Sequence, residues 1–143
     1  MSHFELLIIG GGTAGIMVAA QTKRKNTSVK IGLIEPSEKH YYQPAWTLVG
    51  ANTYKFKDTE REESSLIPKG VTWIKEHADK FYPESNRVMT AEGKEYTYDV
   101  LVVCPGLRMA PELVGGLTEA MEKGVVCSNY TNPEHTWDIL KKF

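Results

Sequence analysis

The sequence predicts an α/β fold built on a parallel sheet, and three observations carry that prediction. A short apolar run, FELLII at residues 4–9, ends on three glycines. A helix-forming stretch, residues 13–25, follows at once. A second apolar run, KIGLIE at residues 30–35, then stops at Pro36. Strand, helix and strand within about 30 residues make one βαβ unit, whose right-handed crossover leaves the strands parallel.

The first strand is short, continuously apolar and rich in isoleucine and leucine, which suits burial on both faces of a sheet. In the helix, Ala14, Ile16, Met17, Ala19 and Ala20 supply a small apolar side. Lys23, Arg24 and Lys25 fall near its negative C-terminal end, where cations are favoured. Residues 52–65, NTYKFKDTEREESS, are polar and charge-rich and read as a surface loop or short helix. Residues 71–76, VTWIKE, alternate like a strand. Residues 79–82, 87–90 and 95–98 are separated by PESN and AEGK turn chemistry and read as an antiparallel hairpin or meander. Residues 99–104, DVLVVC, read as another buried strand, running into Pro105-Gly106. Near the end, Asn132 or Thr131 can cap a helix whose first turn holds Pro133, with Trp137, Leu140 and Ile139 on its apolar side. A chain that closes on a helix with no strand after it reads as cut short.

Composition narrows the function classes. With 143 residues the chain suits one domain, large enough to bury a core without disulfide or metal staples. It is 41% apolar and 24% charged with a net charge of −1, so no basic face calls for nucleic acid. No apolar run reaches membrane-spanning length, and the N-terminus lacks the basic start and cleavage site of a secretory signal. Cys104 and Cys127 form neither a zinc spacing nor a CxxC motif, so a reducing cytoplasm is the expected setting. His3, His40, His77 and His135 show no metal spacing, and no metal is expected.

The chemistry lies in GGGTAG. Gly10, Gly12 and Gly15 stand in a G-x-G-x-x-G spacing, directly after a strand and opening a helix. The first permits a tight turn, the second lets backbone approach a pyrophosphate, and the third lets helix pack on strand. A phosphate there meets unpaired N–H groups at the positive helix end. Glu35 follows about 20 residues past Gly15, where a carboxylate accepts ribose hydroxyls. The fingerprint alone does not separate NAD from FAD. Its N-terminal position, the meander after the third strand, and DVLVVCPG, similar to a second flavoprotein signature, favour FAD. On these features the chain resembles the two-dinucleotide-binding-domain flavoproteins, the glutathione-reductase-like group. The expected fold is thus a Rossmann-like FAD-binding domain with a parallel sheet and an antiparallel β-meander crossover.

A more specific resemblance comes from HYYQPAWTLVGA, IEPSEKH, IPKGVTWIK and VVCSNYTNPEHTW. Together these are similar to sulfide:quinone oxidoreductases, notably the mitochondrial and bacterial branch, from residue 6 to about residue 137. The resemblance implies that Gln43 and Pro44 lie near the flavin, and that Thr13 and Ala14 face the pyrophosphate through backbone N–H groups. It implies backbone contacts to adenine from Ala78, and Cys104, Pro105 and Gly106 beneath the flavin or its linker. Tyr41, Tyr42 and Trp46 either wall the flavin pocket or seal the open end of the sheet. Gln43, if buried, needs a polar partner. Cys127 falls near a position where some relatives carry a cysteine, and is either a sulfur-handling thiol or a buried inert one.

The same resemblance makes residues 1–115 an incomplete FAD-binding domain and 116–143 a connector and helix leading to a missing second domain. The longer relatives would pass electrons from sulfide through FAD to a quinone, touching the membrane only peripherally through C-terminal segments. An apolar face left bare by the missing domain would favour self-association. Two other functions share the same features. A type 2 NADH:quinone dehydrogenase shares the fold and would show a later NADH loop without paired cysteines. A non-catalytic nucleotide-binding module needs only the glycine loop and Glu35.

Overall fold

A computed structural model describes residues 2–142. The strands are β1 (Ser2–Ile9), β2 (Ile31–Ile34), β3 (Lys39–Tyr41), β4 (Glu60–Glu62), β5 (Val71–Ile74), β6 (Ala78–Tyr82), β7 (Arg87–Thr90) and β8 (Glu95–Val103). The helices are α1 (Thr13–Lys25), α2 (Trp46–Gly50), α3 (Glu63–Leu66), α4 (Leu117–Glu122) and α5 (Pro133–Leu140). The chain forms two compact units: residues up to His40 with Glu62–Gly106, and Tyr41–Arg61 with the residues from Leu107 on.

The first unit is a sheet in the order β5-β2-β1-β8-β7-β6. Strands β5, β2, β1 and β8 run parallel, whereas β7 and β6 continue the sheet antiparallel. The predicted βαβ unit is β1-α1-β2, and the bounds of α1 coincide with the expected 13–25. Side chains alternate across the sheet with the strand period of two. Leu7 and Ile9 join Phe4, Ile34, Ile74, Val88 and Tyr98 in one buried cluster. Leu6 and Ile8 join Ala19, Ile31 and Leu33 in a second.

Several expectations change, among them that of a buried strand at 99–104, where Val100 and Val103 are 56% and 54% exposed. The separate strands at 95–98 and 99–104 are one strand, β8, because β1 extends down to Ser2 and pairs with it on both sides of Glu5, from Ser2↔Tyr96 to Phe4↔Tyr98 and from Leu6↔Val100 to Ile9↔Val103. The buried stripe of α1 is Gly15 and Ala19, with Val18 and Thr22 half-buried, while Ala14, Met17 and Ala20 face solvent. A 3.6-residue period places i and i+4 on one face, and the small pair at 15 and 19 lets the helix approach closely. The run at 52–65 is not all surface: Thr59 and Glu63 are 2% and 1% exposed.

The second unit is built of short pieces. A turn of 3-10 helix at Gln43–Ala45 leads into α2, and another at Phe56–Thr59 leads into β4. The rings of Tyr41, Trp46 and Phe56 pack mutually at 5.5–5.9 Å between centroids. Helix α5 begins at Pro133, and of the two candidate caps Asn132 serves, its Oδ1 accepting the His135 N–H at 3.1 Å.

Candidate functional site

The glycine loop joins the C-terminal end of β1 to α1. Gly10 has φ +101°, a conformation open to glycine, and a side chain there would collide with the Cys104 carbonyl. A Cβ at Gly15 would strike the Gly10 carbonyl, so helix and loop close on each other as the motif requires. Gly12 differs: nothing lies within 4 Å of where its Cβ would be. That open side is where a ligand backbone can approach. Helix α1 carries no side-chain cap and no acid in its first turn, and its first described bond is Ile16 N–H to Gly12 O. The N–H groups of Thr13, Ala14 and Gly15 therefore stand at the exposed positive end of a 13-residue helix.

Glu35 follows β2 and is fixed in place. Its Oε2 accepts the Gly11 N–H at 2.7 Å and its Oε1 accepts the Ser37 N–H at 2.7 Å. Its own carbonyl accepts the indole N–H of Trp73 at 2.8 Å. Each carboxylate oxygen retains a lone pair for a further donor. Beyond it lies Glu63, whose Oε2 is 3.2 Å from His40 Nδ1 and whose Oε1 has no hydrogen-bond partner among the described residues. A Cβ on Gly11 would meet both Glu63 Oε1 and the Glu35 side chain. Burial, together with the neighbouring Glu35 charge, pushes the Glu63 carboxyl above the usual range; His40 pulls the other way.

The structure thus brings Gly10, Gly12, Thr13, Ala14, Gly15 and Glu35 together at one end of the parallel sheet. Pro105 and Gly106 follow β8, the strand beside β1, and the Pro105 Cα lies 3.0 Å from the Gly10 Cβ position. From β1 the chain adds β2 on one side and β8 on the other, so this end is a topological switch point, where open α/β sheets bind ligands. Ala78 opens β6 and packs half-buried against the cluster that contains Ile9 and Ile34. In the second unit, Gln43 and Pro44 are exposed on the first turn of a 3-10 helix, so burial gives Gln43 no need of a polar partner. Tyr42 is exposed too, and Tyr41 and Trp46 share the ring cluster with Phe56. Cys127 is exposed rather than buried, and lines a small groove with Met121, Val126 and His135. Cys104 is half-buried, which pushes its thiol pKa up.

The reading from sequence missed Gly11, Glu63 and His40. One signal was present: the fingerprint accounts for Gly10 and Gly12 but leaves the glycine between them without a reason. Glu63 gave none, since it stands in a charged run without periodicity.

A glycine loop, a helix N-terminus and a backbone-held acid at the switch point define a dinucleotide-binding domain of the doubly wound α/β class. The chain belongs to the pyridine nucleotide-disulphide oxidoreductase family, whose profile matches residues 4–138. It is 46% identical over 140 residues to the mitochondrial sulfide:quinone oxidoreductase of Dictyostelium discoideum, covering 96% of this chain and 31% of that protein. It is 38% identical to the Mus musculus counterpart over 99% of this chain and 32% of that one. Among solved structures, the sulfide:quinone oxidoreductase of Aquifex aeolicus superposes with a TM-score of 0.76 at 28% identity, over 99% of this chain and 31% of that one. The chain spans about a third of the length of the curated relatives it matches. No described helix is long and apolar enough to cross a membrane.

Proposed function

We propose that the chain is the FAD-binding portion of a sulfide:quinone oxidoreductase. The observation that carries this reading is the double backbone hold on Glu35 beside a glycine loop whose Gly12 face is open. The residues present fit a dinucleotide. Thr13 and Ala14 offer unpaired N–H groups to a pyrophosphate at the positive end of α1. Glu35 is oriented before any ligand arrives, so it accepts ribose hydroxyls with little further ordering to oppose binding. Ala78 is assigned backbone contact with adenine, and Pro105 and Gly106 contact with the flavin side. Gln43 and Pro44 are assigned to the flavin from the resemblance alone. When bound, FAD supplies two-electron transfer, from sulfide oxidised to sulfane sulfur towards a quinone reduced to quinol.

The chain by itself is expected to bind flavin without turning over sulfide. The test is the visible spectrum of the purified protein, before and after FAD is added and the excess removed. Flavin bands that stay with the protein and are lost in Glu35→Ala support the reading. A protein that takes up no flavin overturns it. Sulfide-dependent quinone reduction by this chain alone would overturn the expected division of labour with the rest of a longer protein. Retained flavin with no role in any longer gene product would leave the non-catalytic nucleotide module.

A further inference from the structure

Glu63 is the least expected side chain in the first unit. It is a carboxylate 1% exposed, with one oxygen unpartnered and aimed at Gly11, the residue whose N–H holds Glu35. An ionised carboxylate so placed lacks both solvent and a full set of donors, a costly state unless a proton or a cation offsets it. The group at hand is His40, at 3.2 Å, with 15% of its side chain exposed.

We propose that Glu63 is a positioning residue for the dinucleotide site: it shares one proton with His40, leaving Glu35 the only net charge beside Gly11, and losing that proton weakens nucleotide binding. The inference rests on the proposed dinucleotide reading. With the shared proton, Glu63 and His40 together carry no net charge, wherever on the pair it sits. Without it they carry −1, next to Glu35 and within a residue of the glycines that face the pyrophosphate. Two negative groups then repel an anionic ligand and each other, which loosens the Gly11–Glu35 contact. Among the described residues, the charges flanking the pair are themselves paired on the surface: Lys39 with Glu62 at 2.5 Å and Lys75 with Glu38 at 2.7 Å.

The test is FAD affinity by flavin fluorescence across about pH 5.5 to 8.5, in the wild type, Glu63→Gln and Glu63→Asp. Wild-type affinity is expected to fall about tenfold as pH rises, the scale of one added charge at a desolvated neighbour. Glu63→Gln, uncharged at every pH, should flatten that profile to within about twofold, while Glu63→Asp keeps the slope. Should Glu63→Gln fail to fold by circular dichroism, Glu63→Leu is also uncharged and reads the same slope. A slope that survives removal of the charge, or a flat wild-type profile, overturns this inference and leaves the FAD reading standing. A wild type that binds no FAD at any pH overturns both.

Discussion

The two units of the chain are held together in different ways. In the first, β1 sits between β2 and β8 in parallel register with both, and Leu7, Ile8, Ile31, Leu33, Ile34 and Val88 are fully buried. Its two clusters lie on opposite faces of one sheet, so each strand residue has a fixed side and a fixed neighbour. The second unit has no sheet of comparable length. It is organised by rings, by α2 and α5, and by single side-chain bonds such as Trp46 Nε1–H to Thr59 Oγ1 at 3.2 Å. Leu107 and Leu113 are 96% and 82% exposed there. The glycine loop and Glu35 are thus held by strand pairing and backbone hydrogen bonds, whereas the ring-built unit depends on a few large contacts.

The harshest way to break the first unit is Gly10→Ala. It forces a side chain into the Cys104 carbonyl at a φ that alanine avoids, with an expected loss of about 3 kcal/mol or more in urea unfolding. The matching cut in the second unit is Trp46→Ala, expected to lose about 2 kcal/mol because the ring is only partly buried. Hydrogen exchange sharpens the contrast. In Trp46→Ala, protection should drop across residues 41–61 and 107–142, while β1, β2 and β8 keep theirs. Equal loss in both units would show that they unfold as one.

A smaller effect lies within the first unit. Glu63 has a higher pKa folded than unfolded, so the folded state keeps a proton that the unfolded chain has released between those two values. Its contribution is fully present below the unfolded pKa and is lost as pH rises through the folded one. Glu63→Gln should remove that loss and raise stability by about 1 kcal/mol at pH 8 relative to wild type, with no gain at pH 4. Chemical denaturation at the two pH values decides it. The mildest probe uses one thiol from each unit. Exposed Cys127 should react with a thiol reagent about tenfold faster than Cys104, whose thiol is half-buried and held protonated by its surroundings. Mass mapping of the first label added checks this.

What each unit let the sequence say follows from the same difference. The bounds of α1 and the pairing of β1 with β2 were legible because apolar runs and glycines report local geometry directly. Glu35 was legible because its distance from the loop is set by the length of one helix and one strand. The merging of two predicted strands into β8 was not, since only the length of β1 beside it decides whether the pairing is interrupted. Helices α2 and α4 were missed because five and six residues carry too little periodicity to detect.

By itself, then, the sequence determined the parallel sheet, the glycine loop and its acid, all of which depend on residues close together along the chain. Only the tertiary structure decided that Glu63, 28 positions after Glu35 in a charged run, is buried against Gly11 with His40 for company. The reason is physical. Burial of a charge is settled by what the fold brings around it, and no local pattern of neighbours encodes that.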